Sequence, residues 1–199
     1  MTSCGFHNSG HAIAQTDILS LLRSSSKSIH DEINEKGISK AMANQSMDEK
    51  IYLTWLYQTY TFINAIKLLF DSNSTFDKLI KYNVTLELMQ ELEKDINSFS
   101  DSDMAESLYN FDPVDHEDLM LSPVYTLLGS MMGANMINHY ISKNHSKFPV
   151  NFVSKAATLN ALWKEFLNEI QNYSLQIDAP KLEDYNKKVW LKILENTSY

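Results

Sequence analysis

Apolar residues recur along most of this chain at helical rather than alternating spacing, and the points where the pattern starts, stops and changes face predict a succession of helices. A first helix is expected over residues 17–34, with Asp17 as N-cap, Ile18, Leu22, Ile29 and Ile33 on its core face, and Gly37 just past its end. Ser46-Met47-Asp48-Glu49 reads as a capping box that opens a second helix running to Phe70. Its apolar residues Ile51, Trp55, Leu56, Tyr60, Ile63, Ile66 and Leu69 lie on more than one side, which predicts a central element buried over much of its circumference. A short helix over 75–82 and another over 85–97, with Leu88, Met89, Leu92 and Ile96 inward, are expected next. Residues 98–118 are polar, acidic and broken by Pro113, so they read as loop with a turn or two of helix. Ser122-Pro123 supplies an N-cap and a first-position proline for a helix that runs to Tyr140. After the connection at Phe148-Pro149 comes a stripe of Leu159, Leu162, Trp163, Phe166, Leu167 and Ile170. Asp178-Ala179-Pro180 then starts a last helix carrying Leu182, Tyr185, Val189, Ile193 and Leu194. With no strand pattern and no internal repeat, the expectation is one all-α domain over 17–199, a multihelical bundle of about seven or eight helices, behind a flexible tail of residues 1–16.

Composition agrees with that outline. A chain of 199 residues with 44 % hydrophobic and 21 % charged residues can bury a core of its own. Five glycines and four prolines are too few for the frequent turns of an all-β fold. The formal net charge of −8 argues against nucleic acid as a partner, although a local basic pair still suffices for an anionic ligand. The single cysteine, Cys4, excludes an intramolecular disulfide and fits a reducing cytosol. Residues 1–15 carry no secretory pattern, so a cytoplasmic location is expected. Cys4, His7 and His11 sit together on the Gly/Ser-rich tail but specify no closed metal site. The apolar run Leu119–Ile137 is diluted by Ser122, Pro123, Thr126, Ser130 and Asn135 and flanked by Glu117 and Asp118. A membrane helix with a small-xxx-small motif inside it is therefore only a minor alternative for this run, and no membrane partner is expected.

Two of the scarce glycines, Gly129 and Gly133, fall four apart inside that run, where each costs a helix about 0.8–1 kcal/mol relative to alanine. Residues four apart share a helix face, so the pair makes one flat strip bare of side chains. A close helix crossing or a kink is the ordinary use of such a strip, and a flat ligand lying against the backbone is the sharper one. Among six histidines, His30 stands out late in the first helix, beside the apolar stripe, with Arg23 seven residues earlier on nearly the same face and Lys27 between them. A lone histidine there is ordinarily a core-edge residue with one hydrogen bond, and the cations ordinarily a solvated patch. The same arrangement also suits an iron porphyrin, which needs an axial nitrogen and carries anionic propionates.

The segment Asp17-Ile18-Leu19-Ser20-Leu21-Leu22-Arg23-Ser24-Ser25-Ser26-Lys27-Ser28-Ile29-His30 resembles the opening helix of haem (heme) oxygenases. Val124-Tyr125-Thr126-Leu127-Leu128-Gly129-Ser130-Met131-Met132-Gly133-Ala134 is similar to the distal helix of the bacterial members, whose pattern is close to Tyr-Val-x-Glu-Gly-Ser-x-Leu-Gly-Gly/Ala. Tyr125, Gly129, Ser130, Gly133 and Ala134 match, Met132 replaces leucine, and Leu128 stands where bacterial members usually have glutamate. Mammalian enzymes have aspartate where this chain has Ser130. The order and separation of the two segments, the chain length and the helical class fit as well, so the resemblance spans nearly the whole domain. It implies a haem-oxygenase-like fold and a biliverdin-producing enzyme in which haem is both substrate and cofactor. O2 and electrons from an external donor protein or reductant would open the ring to biliverdin, carbon monoxide and iron. On that resemblance His30 is the axial iron ligand, and Arg23, Lys27 and Tyr125 belong to the haem-binding set. Gly129, Ser130 and Gly133 form the distal catalytic surface. Lys155 and Lys164 are candidates for the second propionate, and Met131 and Met132 fill either the pocket or plain core.

Two other readings accompany it. Leu128 and the unmatched second propionate cation motivate a haem-binding sensor or carrier without turnover. A di-iron oxidase on the same fold would draw on Asp112-Pro113-Val114-Asp115-His116-Glu117-Asp118, but Pro113 and the acidic composition make a solvated loop the expectation there. Cys4, on the tail, does not suit the buried nucleophile of thiaminase-like members. His139 and His145 are expected at a helix end and in the loop after it, and no obligate protein partner is evident.

Overall fold

A computed structural model describes residues 17–72, 79–99 and 111–197. The tail with Cys4, His7 and His11, residues 75–78 of the expected short helix, and residues 100–110 of the acidic connection lie outside the described residues. The described chain is an all-α multihelical bundle, with no strand among the described residues. Its helices are α1 (Ile18–Asn34), α2 (Ile38–Ala43), α3 (Glu49–Asp71), α4 (Thr85–Ile96), α5 (Leu121–Met131), α6 (Ala134–Asn144), α7 (Asn151–Ala157), α8 (Asn160–Gln171) and α9 (Ala179–Asn196). Short 3-10 turns at Ile80–Tyr82 and Glu117–Met120 precede α4 and α5.

Each boundary has a local cause. Asp17 caps α1 by accepting the Ser20 N–H at 3.1 Å and the Ser20 hydroxyl at 2.7 Å. Gly37, expected merely to end that helix, instead stands at the N-cap of α2, a short helix the apolar pattern did not announce. The cap of α3 is Asp48 rather than Ser46: Asp48 Oδ1 accepts the Ile51 N–H at 2.8 Å, while the Ser46 hydroxyl turns back toward the Ala41 carbonyl. A side-chain oxygen caps by reaching the N–H three residues on, and only the Asp48 register meets that condition here. Ser122 does not cap α5 either, because the 3-10 turn has already set the chain into helical conformation before it arrives. Pro123 remains in the first turn of α5, where a missing N–H leaves no helical bond unmade. The stripe from Leu159 to Ile170 belongs to α8, and residues 151–157 form a separate α7 before it.

The single helix expected from Ser122 to Tyr140 is two helices. Between Met131 and Ala134 the N–H of Met132 bonds three residues back, to the Gly129 carbonyl at 3.1 Å, and Gly133 opens α6 with its own carbonyl accepting from Met136 and Ile137. Gly133 lies in this break and Gly129 supplies the carbonyl of its three-residue bond.

Helix α5 is the core. Every residue from Leu121 to Leu128 is buried, and α3, α7, α8 and α9 pack around it. That explains why its sequence is apolar on all sides. No helix among the described residues is long and apolar enough to cross a membrane. Helix α3 is the second inner element, with Tyr52, Leu56, Ile63 and Ile66 fully buried, while α1 lies along α9 and α4 joins α3 to α7.

Three buried polar groups tie these layers together. Asp95 of α4 accepts the N–H groups of Asn151 (3.0 Å) and Phe152 (2.9 Å) and the Asn151 side-chain amide (2.7 Å), so it caps α7 from another helix. Burial pushes its carboxyl above the ordinary aspartate value, against the opposing pull of those three donors. Asp118 is also buried, which corrects the expectation of a wholly solvated acidic loop: it accepts the Tyr173 hydroxyl at 2.8 Å and the N–H groups of Gln176 and Ile177. Its carboxylate is thereby satisfied by the connection between α8 and α9. Asn186 of α9 donates to the Leu22 carbonyl at 2.9 Å and the Ser25 hydroxyl at 2.8 Å and accepts from Ser122 at 2.7 Å, which links α1, α9 and α5.

Candidate functional site

The amino-terminal half of the site rests on α1. Ser24, Ser25 and Ser26 are poor helix formers because their hydroxyls compete for backbone groups. Here each hydroxyl donates back to the carbonyl of Leu21 or Leu22 at 2.7–3.1 Å, so the helix continues through them to His30. The His30 side chain is half exposed at 52 %. Its Nδ1 lies 3.2 Å from the Asn34 amide nitrogen, and the Ser39 hydroxyl donates to Asn34 Oδ1 at 3.3 Å. Asp31 Oδ1 stands 3.9 Å from the same Nδ1. Nε2 has no partner among the described residues. The ring meets Trp190 of α9 edge-on, with centroids 5.3 Å apart, and the buried indole N–H of Trp190 is unpaired among the described residues. Lys27 is tied to Asp31 at 2.6 Å along its own helix, which holds the Asp31 carboxyl below its usual value.

The carboxy-terminal half is the kinked α5–α6 segment. Tyr125 is buried, with its ring 5.5 Å from that of Trp163 on α8. Burial pushes the Tyr125 hydroxyl up, and the Arg23 guanidinium facing it from α1 pulls it partly back. Arg23 and Tyr125, one from each motif, are thus brought together. Gly129 and Gly133 are both partly exposed and neither has a positive φ. A Cβ added at Gly129 would sit 3.6 Å from Trp163 Cη2 and 3.9 Å from Cζ3, and one at Gly133 would meet only the Ser130 carbonyl at 3.7 Å. These are ordinary van der Waals distances, so neither backbone conformation nor packing requires glycine at either position.

Several expected residues point elsewhere. The Ser130 hydroxyl donates to the Leu127 carbonyl at 2.8 Å, Leu128 is fully buried in the core, and Met131 joins it there. Lys155 pairs with Glu87 at 2.5 Å, while Lys164 is exposed on α8 next to Trp163. His139 is exposed on α6 and His145 lies just after it, its ring stacked on Phe148 at 4.8 Å. Among the described residues, no three His, Cys, Asp or Glu side chains converge as a metal site, so the di-iron reading has no ligand set there.

Surface grooves lie away from both motifs. One of about 640 Å³ is lined by Lys81, Glu165, Phe166 and Tyr173, and a smaller one of about 200 Å³ runs along α9 beside Phe111 and Tyr185. His30 and the glycine pair line neither of them; α8 touches both α1 and α5, and its Trp163 covers Gly129. Four participants were not legible as site residues in the sequence: Asn34, Ser39, Trp163 and Trp190. Asn34 carried the one available signal, since a side chain four residues after His30 shares its helix face. No protein-family model, curated protein or solved structure matches the chain.

Proposed function

We propose that this chain binds haem between the His30 face of α1 and the glycine-bearing α5–α6 segment, and that it is a haem oxygenase producing biliverdin with O2 and an external electron donor. The observation that supports this reading most is the pair Gly129 and Gly133. Gly129, in the last turn of α5, is held in a helical conformation that alanine would favour by at most about 0.8–1 kcal/mol, Gly133 stands at the N-cap of α6, and neither has a neighbour that a methyl group would disturb. Glycine kept at such cost fits a body that comes closer to the backbone than the indole does.

The donor set suits the same ligand. His30 offers Nε2 to iron while Nδ1 is engaged by Asn34. Once Nε2 is a ligand, Nδ1 must carry the proton, and Asn34 would then present its oxygen instead of its nitrogen. Ser39 tolerates that exchange, because a hydroxyl both donates and accepts. Arg23 supplies a cation for one propionate, with Tyr125 beside it. For the second, Lys164 is better disposed than Lys155, whose ammonium is occupied by Glu87.

A haem-binding protein without turnover is the second reading, and two observations favour it. The Ser130 hydroxyl is committed to a backbone carbonyl, and Leu128 directs an alkyl chain into the core. The distal side therefore offers little beyond backbone to position water. Titration with haemin followed by ascorbate or a ferredoxin system separates the readings. A shifted Soret band followed by bilin absorbance supports the oxygenase. A stable Soret shift without bilin supports the binding protein, and no shift refutes both.

A further inference from the structure

We propose that the groove between the Ile80–Tyr82 turn and α8 is a binding site for a small primary amine carried on an apolar or aromatic body. The inference is independent of the haem reading. The groove encloses about 640 Å³, within the range of small-molecule sites, and Leu79, Leu121, Phe166 and Ile170 give it an apolar floor. Its α8 wall is polar. Glu165, Asn168, Glu169 and Asn172 follow one another at the spacings that put side chains on one helix face.

The charges of this wall converge on one ammonium. Glu165 Oε1 accepts from Lys81 at 2.9 Å, Glu169 Oε1 accepts from the same Nζ, and Glu169 Oε2 accepts the Tyr82 hydroxyl at 2.7 Å. Two carboxylates thus share a single cation, and the wall keeps an excess of negative charge. The hydrogen bonds to Glu169 and then Glu165 hold the Lys81 ammonium above its ordinary value, and the bond from Lys81 holds the Glu169 carboxyl below its own. Lys81 therefore stays charged and is no nucleophile, so the groove suits binding rather than imine formation with a carbonyl. The wall also carries unused acceptors. Glu165 Oε2, Asn168 Oδ1 and Asn172 Oδ1 accept no hydrogen bond among the described residues. An ammonium is the complementary group, with three donors, no acceptor and the opposite charge. A carboxylate or phosphate would meet only a cation that two carboxylates already hold, and a neutral alcohol forgoes the charge. The apolar floor and the ring of Tyr173, whose hydroxyl is engaged by Asp118, add the requirement for an apolar body.

Titration of isotope-labelled protein with phenethylamine, phenethyl alcohol and hydrocinnamate, followed by heteronuclear NMR, tests this. Phenethylamine should give saturable shifts at Asn168, Asn172 and the Ile80–Tyr82 turn, phenethyl alcohol weaker ones and hydrocinnamate none. Glu165→Gln should weaken phenethylamine binding by roughly two- to fivefold, the scale of one exposed ion pair, with Glu183→Gln on α9 as the control for bulk charge. Lys81→Met should strengthen it by a similar factor, since both carboxylates then lack their cation. The Lys81 and Glu165 side chains are about half exposed, so neither exchange disturbs the core. Equal affinity for the three probes, or an absent or unsaturable response to phenethylamine, would overturn the proposal. So would equal losses in Glu165→Gln and Glu183→Gln, or weaker binding in Lys81→Met. None of these outcomes touches the haem reading, which has its own titration.

Discussion

Replacing Gly129 by alanine should make the protein more stable and a poorer haem binder. In the unliganded chain the new methyl meets Trp163 Cη2 at 3.6 Å and Cζ3 at 3.9 Å, contacts that need no displacement. The backbone there is the last turn of α5, helical and without a positive φ, so alanine removes the conformational penalty of glycine, at most about 0.8–1 kcal/mol. For a chain of this size that amounts to a rise in Tm of roughly 2–4 °C. A haem lying on the strip meets the same methyl as overpacking, at a cost of about 1–3 kcal/mol, or roughly 5- to 150-fold in Kd. Differential scanning calorimetry of the haem-free protein and Soret titration with haemin read the two effects separately. A stabilised variant with undiminished haem affinity would refute the claim that the glycine is kept for a ligand. A destabilised variant would refute the packing description itself.

The remaining tests address other contacts. Gly133→Leu should block haem uptake, because its side chain fills the open end of the strip; unchanged affinity would count against the distal assignment. Asp95→Asn leaves one of the donors at the start of α7 facing an amide instead of an oxygen, so chemical denaturation should show a loss of about 1–3 kcal/mol. Because burial raises the folded-state Asp95 value above 3.8, the contribution of Asp95 is full below that pH and declines as pH rises through the folded value. The stability advantage of the native chain over Asp95→Asn should shrink across that window, and a constant difference would contradict the sign. Asn186→Leu strands the Ser122 hydroxyl in the core, and a loss of about 1–3 kcal/mol by the same assay is expected.

How much of this was legible in the sequence differs from element to element. The all-α class and the start of α1 at Asp17 followed from apolar spacing and from Asp17 sitting just before the pattern begins, whereas the central element was expected in α3 and the structure puts α5 there. The capping errors share one cause. Both Ser46 and Ser122 are good caps in isolation, but the preceding turns of chain, α2 in one case and the 3-10 segment in the other, decided where the helix began. The break between Met131 and Ala134 falls at the glycine pair, yet composition alone does not say whether such a pair interrupts a helix or bares it. Asp118 read as solvated because its neighbours are acidic, and its partners Tyr173, Gln176 and Ile177 are more than fifty residues away. The same distance hid Trp163 and Trp190: on their own helices both are ordinary stripe residues, and only the crossing of α8 with α5 and of α9 with α1 brings them to Gly129 and His30.

The central claim is that the open nitrogen of His30 holds the iron of a haem. Its most direct test is the absorption and low-temperature EPR spectrum of the equimolar haemin complex in the native chain and in His30→Ala. The account requires a histidine-ligated Soret and g-pattern in the native chain that vanish in the variant and return when imidazole is added. An identical spectrum in both proteins would contradict it.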